Sequence, residues 1–159
     1  PAYARSLDLP AFSGVLLTIN SLGSALGGAV YGALHLKMAV ERQFTGMLLL
    51  MAPTPGLHGL VGGQWPFSGA AFVAGAAIAP AIAAQSLLVS RLAPAIYATE
   101  AFTWSSTFIV CGLGAGMAAG GAIAENVGIK APFLIGSAVA LLMACCAWFL
   151  HPPKIPPTA

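Results

Sequence analysis

Few side chains in this chain of 159 residues can do acid–base or metal chemistry: four carboxylates, three histidines and three cysteines. His58 falls toward the outer half of an apolar stretch, while His35 and His151 belong at the opposite side, so they assemble no metal triad. Cys111, Cys145 and Cys146 all sit inside apolar stretches, where disulfides and four-ligand zinc sites are not expected; they read as small packing residues. The sequence has no G-x-S-x-G elbow, H-E-x-x-H, P-loop, dinucleotide fingerprint or C-x-x-C. Ser13 and Ser68 have no histidine placed to activate them. No enzyme chemistry, cofactor or metal is expected.

Uncharged polar residues are more informative, because they stand in helical register. Asn20, Ser24, Gly27 and Tyr31 recur at i, i+4, i+7 and i+11, and Glu100, Thr103, Thr107, Cys111 and Gly114 at i, i+3, i+7, i+11 and i+14, one side of a helix in each case. In hydrocarbon an unmatched polar group is costly, so such stripes face protein or a water-filled cavity. Both stripes are therefore candidates to line a pathway, and Gln85 belongs with them. The competing reading is ordinary hydrogen bonding between helices, worth about 0.6–2 kcal/mol per pair. Trp104 reads as a packing or interface residue, the alternative being a ring that stacks on a substrate.

Two titratable groups lie near these stripes. Glu100 is a proton-relay or gating candidate, although Thr99-Glu100 is more simply read as a capping Thr followed by an acid that the helix dipole favours. His58 is a proton-sensitive candidate set against a hydrogen-bonded structural histidine.

The elements that must hold these residues follow from composition. The chain is 58% hydrophobic and 6% charged, against roughly 25% charged in a soluble domain. That excludes a water-soluble globule and makes lipid the solvent. A net charge of +2 without a basic patch argues against nucleic acid as a partner. Uncharged windows run over 9–36, 43–90, 101–124 and 131–153. At about 20 apolar residues per crossing, they predict five transmembrane helices near 12–34, 44–62, 67–90, 101–124 and 131–150. The turn in the long window is expected at Gly62-Gly63-Gln64-Trp65-Pro66. No window alternates polar with apolar long enough for a β-barrel. The fold class is an all-α membrane protein.

The first span carries Gly23/Gly27 and Gly28/Gly32 and the fourth Gly112, Gly116 and Gly120, both suited to tight helix contacts; Pro53, Pro55 and Pro80 should bend the second and third. Lys37, Arg42, Arg91 and Lys154 on one side against Arg5 and Lys130 on the other place the amino end outside and the carboxyl end in the cytoplasm. Trp65, Phe67 and Phe133 are expected in the outer aromatic belt, with Tyr31, Phe44, Phe102 and Trp148 in the inner. Residues 151–159, with four prolines, form an extended tail rather than a domain. The chain begins with Pro1, and its first ten residues read as a loop entering from outside, as in a truncated chain.

From Leu7 the run LDLPAFSGVLLTINSLGSALGGAVYGAL resembles the eighth helix of a major facilitator superfamily transporter with its outer loop. Ile78-Ala79-Pro80, the run Leu88 to Pro94, and Thr99 to Trp104 are similar to the tenth helix, inner loop and eleventh helix of bacterial members. The resemblance implies that residues 1–150 are helices eight to twelve of twelve, part of a six-helix half-bundle, with the first seven helices missing. It also places the family's loop signature at Gly32 to Arg42, in a degenerate copy: Lys37 stands for its Arg, while Leu36 takes the place of its acid. Two halves that rock about a midplane site are the family's mode of work. On that likeness Asn20, Ser24, Gln85, Thr103 and Thr107 would bind substrate.

The resulting expectation is a multi-pass protein of the plasma or inner membrane. Its partners would be the bilayer, a small-molecule substrate and the missing N-terminal helices. Its work would be proton-coupled efflux of a small organic solute such as a drug or metabolite, since the spans lack the Arg or Lys an anion would need. The alternative is a membrane interaction or scaffold protein built from such helices that transports nothing.

Overall fold

The computed structural model describes residues 11–34, 36–60 and 63–149. Among them the order is α1 (Phe12–Ala33), α2 (Val40–Met51), α3 (Pro53–Leu60), α4 (Gln64–Leu92), a 3-10 turn (Ala95–Tyr97), α5 (Ala98–Asn126) and α6 (Ala131–Phe149). Four helices are long and apolar enough to cross a membrane: α1, α4, α5 with the turn before it, and α6. At 1.5 Å per residue the 22 residues of α1 span about 33 Å and the 29 of α4 about 43 Å, enough for a hydrocarbon core of about 30 Å. Leu150, His35, residues 1–10 and the tail at 151–159 lie outside the described residues, as do Val61 and Gly62.

The span expected as one helix over 44–62 is two, of 12 and 8 residues, meeting at Ala52. Ala52 keeps a helical backbone (φ −57°, ψ −42°) and its N–H still donates to Leu48 O at 2.9 Å. The break is thus a bend in a continuing span. Pro53 and Pro55 cause it, because neither can donate to the carbonyl four residues back. The carbonyl that Pro55 leaves unpaired belongs to Met51, and the Thr54 hydroxyl donates to it at 2.6 Å. Across the bundle Ser137 Oγ of α6 donates to Ala52 O, also at 2.6 Å.

Two helix starts differ from expectation. α4 begins at Gln64, directly after Gly63 at φ +91°, a conformation few side chains allow. Trp65 and Pro66 therefore lie in the first turn of α4, where a proline's missing N–H is no loss. α5 begins at Ala98 with Tyr97 as its cap and no capping side chain, so Thr99 is inside the helix. The 3-10 turn after Pro94 delivers the chain already coiled, with Tyr97 N–H on Pro94 O at 2.9 Å.

The interior is built from small residues. Buried apolar positions are Ala52, Ala71, Ala77, Ala81, Ala84 and Ala144 with Val40 and Phe67, while Leu17, Val30, Phe108, Met117 and Leu142 face outward. A soluble core would reverse that. In lipid the pattern is expected, because outward side chains meet acyl chains and helices join where backbones can approach. The closest approach is between α1 and α4, which run parallel: a Cβ at Gly23, Gly27 or Gly75 would overlap Phe72 O, Ala76 O and Asn20 O respectively. A glycine hydrogen occupies each such position and points at the oxygen, a Cα–H···O contact worth about 0.5–1 kcal/mol. Ala76 O is also the carbonyl that Pro80 cannot bond, so Gly27 covers the atom the proline exposes.

α5 stands apart. None of its described residues is buried, and Gly112 and Gly116 have nothing within 4 Å of a Cβ position. Gly23, Gly27 and Gly28 of the first span are thus used for close contact while Gly32 is not, and of the fourth-span glycines only Gly120 has a neighbour, Pro132 Cβ at 4.0 Å.

Candidate functional site

Helical register and tertiary contact together locate each polar residue singled out above. Asn20 Nδ2 donates to Ala71 O at 3.1 Å, so the amide ties α1 to the α4 backbone beside the glycine contact. Ser24, one turn further on, is half-buried. At the end of the same stripe the Tyr31 hydroxyl donates to Gln43 Oε1 at 2.6 Å, and Gln43 Nε2 donates to Met38 O at 2.7 Å. Uncharged groups thereby bracket the loop between α1 and α2. Three of the four stripe residues meet a neighbouring element because one helix face turns to α4 and its end turns to α2.

The second stripe is not brought to the first. Thr103 and Thr107 are exposed, and their hydroxyls donate to the carbonyls four residues back, Thr99 O at 2.9 Å and Thr103 O at 2.8 Å. The face of α5 that meets α4 carries Ser105 instead: Gln85 Nε2 donates to Ser105 Oγ at 2.9 Å. Ser105 lies about 200° round the helix from Thr103, on the far side of α5. Trp104 and Phe108 stand between the two faces as a tilted pair with centroids 6.0 Å apart, 56% and 70% exposed. The i, i+4 spacing of the threonines thus marks a different face of α5 from the one that packs against α4. Ser105 has no periodic partner, so only the packing of α4 reveals it.

Glu100 is exposed in the first turn of α5, where a carboxylate meets the positive end of the helix dipole. His58 is held among aromatic rings. Phe67 of α4 meets it edge-on at 4.7 Å, Phe133 of α6 stacks on it at 5.8 Å, and those two rings lie 6.0 Å apart. Its Nδ1 is 2.8 Å from Thr54 O, and since a carbonyl only accepts, Nδ1 carries the proton. Phe67, expected in the outer aromatic belt, is 5% exposed and belongs to this cluster. No metal-holding group of three or more ligands exists among the described residues.

Spans with small-residue interiors, a proline-bent helix and polar groups kept on helix faces define a polytopic α-helical membrane protein. The chain matches the Major Facilitator Superfamily over residues 1–159 and belongs to that family. It is also similar to a protein of Haemophilus influenzae (strain ATCC 51907 / DSM 11121 / KW20 / Rd) named "Putative metabolite transport protein", at 27% identity over 163 residues. That match covers 97% of this chain, which spans 38% of the relative's length. No solved structure matches.

Proposed function

We propose that this chain forms part of the C-terminal half of a facilitator-type secondary transporter. The full protein would export a small organic solute in exchange for protons across the plasma or inner membrane. The family membership is the observation that carries this reading. The relative's name supports a metabolite as the cargo, and the exposed flank of α5 supports further helices of the same transporter as its neighbours. Lys37, Arg42 and Arg91 lie by helix alternation at one end of the bundle, which favours that end as cytoplasmic.

Within this reading Asn20, Ser24, Gln85, Thr103 and Thr107 border the pathway, with Asn20 holding α1 to α4. Glu100 and His58 have structural occupations, as a dipole-favoured acid and as an aromatic-clamped ring. The coupling proton is therefore assigned to the helices beyond this segment. The test is export of a panel of dyes, sugars and small metabolites from cells that express the complete protein, with and without a protonophore. Protonophore-sensitive export is expected, and indifference to both panel and protonophore refutes proton-driven efflux.

A further inference from the structure

The Gln85–Ser105 pair leaves hydrogen-bonding capacity unfilled. A primary amide offers two N–H donors and a carbonyl acceptor, and a serine offers one O–H and two lone pairs. The contact uses one amide hydrogen and one serine lone pair. Among the described residues nothing meets the second amide hydrogen, Gln85 Oε1 or the Ser105 proton. Both residues are half-buried, about ten ångströms along their helices from the turn at 95–97. Acyl chains cannot satisfy such groups, and a polar atom left bare in hydrocarbon is costly. Whichever way the amide is turned, one donor and one acceptor remain free side by side. Thr103 and Thr107, on the other side of α5, donate to carbonyls of their own helix and do not reach this pair.

We infer that Gln85 and Ser105 together bind an uncharged hydrogen-bonding group of the transported solute, a hydroxyl or an amide. This inference rests on the transporter reading above. The charge pattern supports the neutral class: Glu41, Arg42, Arg91, Glu100 and Glu125 all stand in or near end turns, and the described helices carry no charged side chain between them. This segment therefore offers a solute hydrogen bonds and the Trp104–Phe108 surface, without an ion pair.

The test uses the complete transporter in proteoliposomes and three probe classes of similar size: neutral polyols or amides, organic cations and organic anions. The unmutated protein is expected to move a neutral solute. Ser105→Ala and Gln85→Leu should each raise its KM roughly tenfold, the usual effect of unpairing one partner, with kcat within about twofold. Combining them should add little. Gln85→Glu keeps the shape and checks that any failure of Gln85→Leu is not misfolding. Ser106→Ala, exposed beside the pair, is the control. Transport confined to charged solutes overturns the ligand class. Neutral transport with unchanged KM, or variants that lower only the melting temperature, overturns the site in favour of a helix contact. A complete protein that moves none of the probes overturns the transporter reading itself, and does so before any variant is compared.

Discussion

Replacing Gly27 by alanine tests the central packing claim. The new Cβ would lie 2.7 Å from Ala76 C and 2.9 Å from Ala76 Cα, and closer still to the carbonyl oxygen. All three are backbone atoms of α4, so no side chain can swing aside. The helices must part by about an ångström, and a gap of that size forfeits a quarter to a half of the attraction across it. The parting also stretches the Cα–H···O contacts at Gly23 and Gly75 and the Asn20–Ala71 hydrogen bond of 3.1 Å. Overpacking of this kind, with those losses included, gives a destabilisation of about 2–3 kcal/mol. The assay is reversible unfolding of the 159-residue chain in mixed micelles, followed by circular dichroism. Gly112→Ala is the matched control, because nothing lies within 4 Å of its Cβ position; it should fall within about 0.5 kcal/mol of the parent. Equal effects at the two positions would refute the α1–α4 contact.

Other expectations follow from single contacts. Ser137→Ala removes the donor to Ala52 O at the proline bend and should destabilise by about 0.6–1.7 kcal/mol; no change in the same unfolding assay would mean the bend needs no brace from α6. His58→Phe retains the ring cluster and should unfold within about 1 kcal/mol of the parent, whereas His58→Ala should lose more than about 2 kcal/mol because it empties the space between Phe67 and Phe133. Equal losses would show that the bond to Thr54 O matters more than the packing. Glu100→Gln in the complete transporter should keep protonophore-sensitive export, since the acid is exposed in the first turn of α5; loss of that sensitivity would make it a coupling residue.

Several features were legible from residue order. Composition and the spacing of charges were enough to specify an all-helical membrane protein, since a hydrocarbon layer of about 30 Å imposes the same length on every span. The proline pair was legible as a disturbance in the second span, but the bend is braced by Ser137 of α6, to which no spacing in the sequence points. Phe67 looked like a belt aromatic from its place near a helix end. It is buried because α3 and α6 bring His58 and Phe133 to the same level. Thr99 looked like a cap, but a turn after Pro94 had already begun the coil.

Residue types and their order therefore determined the solvent, the number of crossings and which helix faces carry polar groups, because these depend on transfer energies and on the helix period alone. Which polar groups meet was decided only in three dimensions. Gly23/Gly27 on α1 and Gly112/Gly116 on α5 have the same spacing, yet the first pair is closed against α4 and the second has nothing within 4 Å. Gln85 found Ser105 rather than the threonines that share its chemistry. Such pairings depend on the rotation and crossing of whole helices, and those are set by where backbones can approach, a property of two surfaces at once.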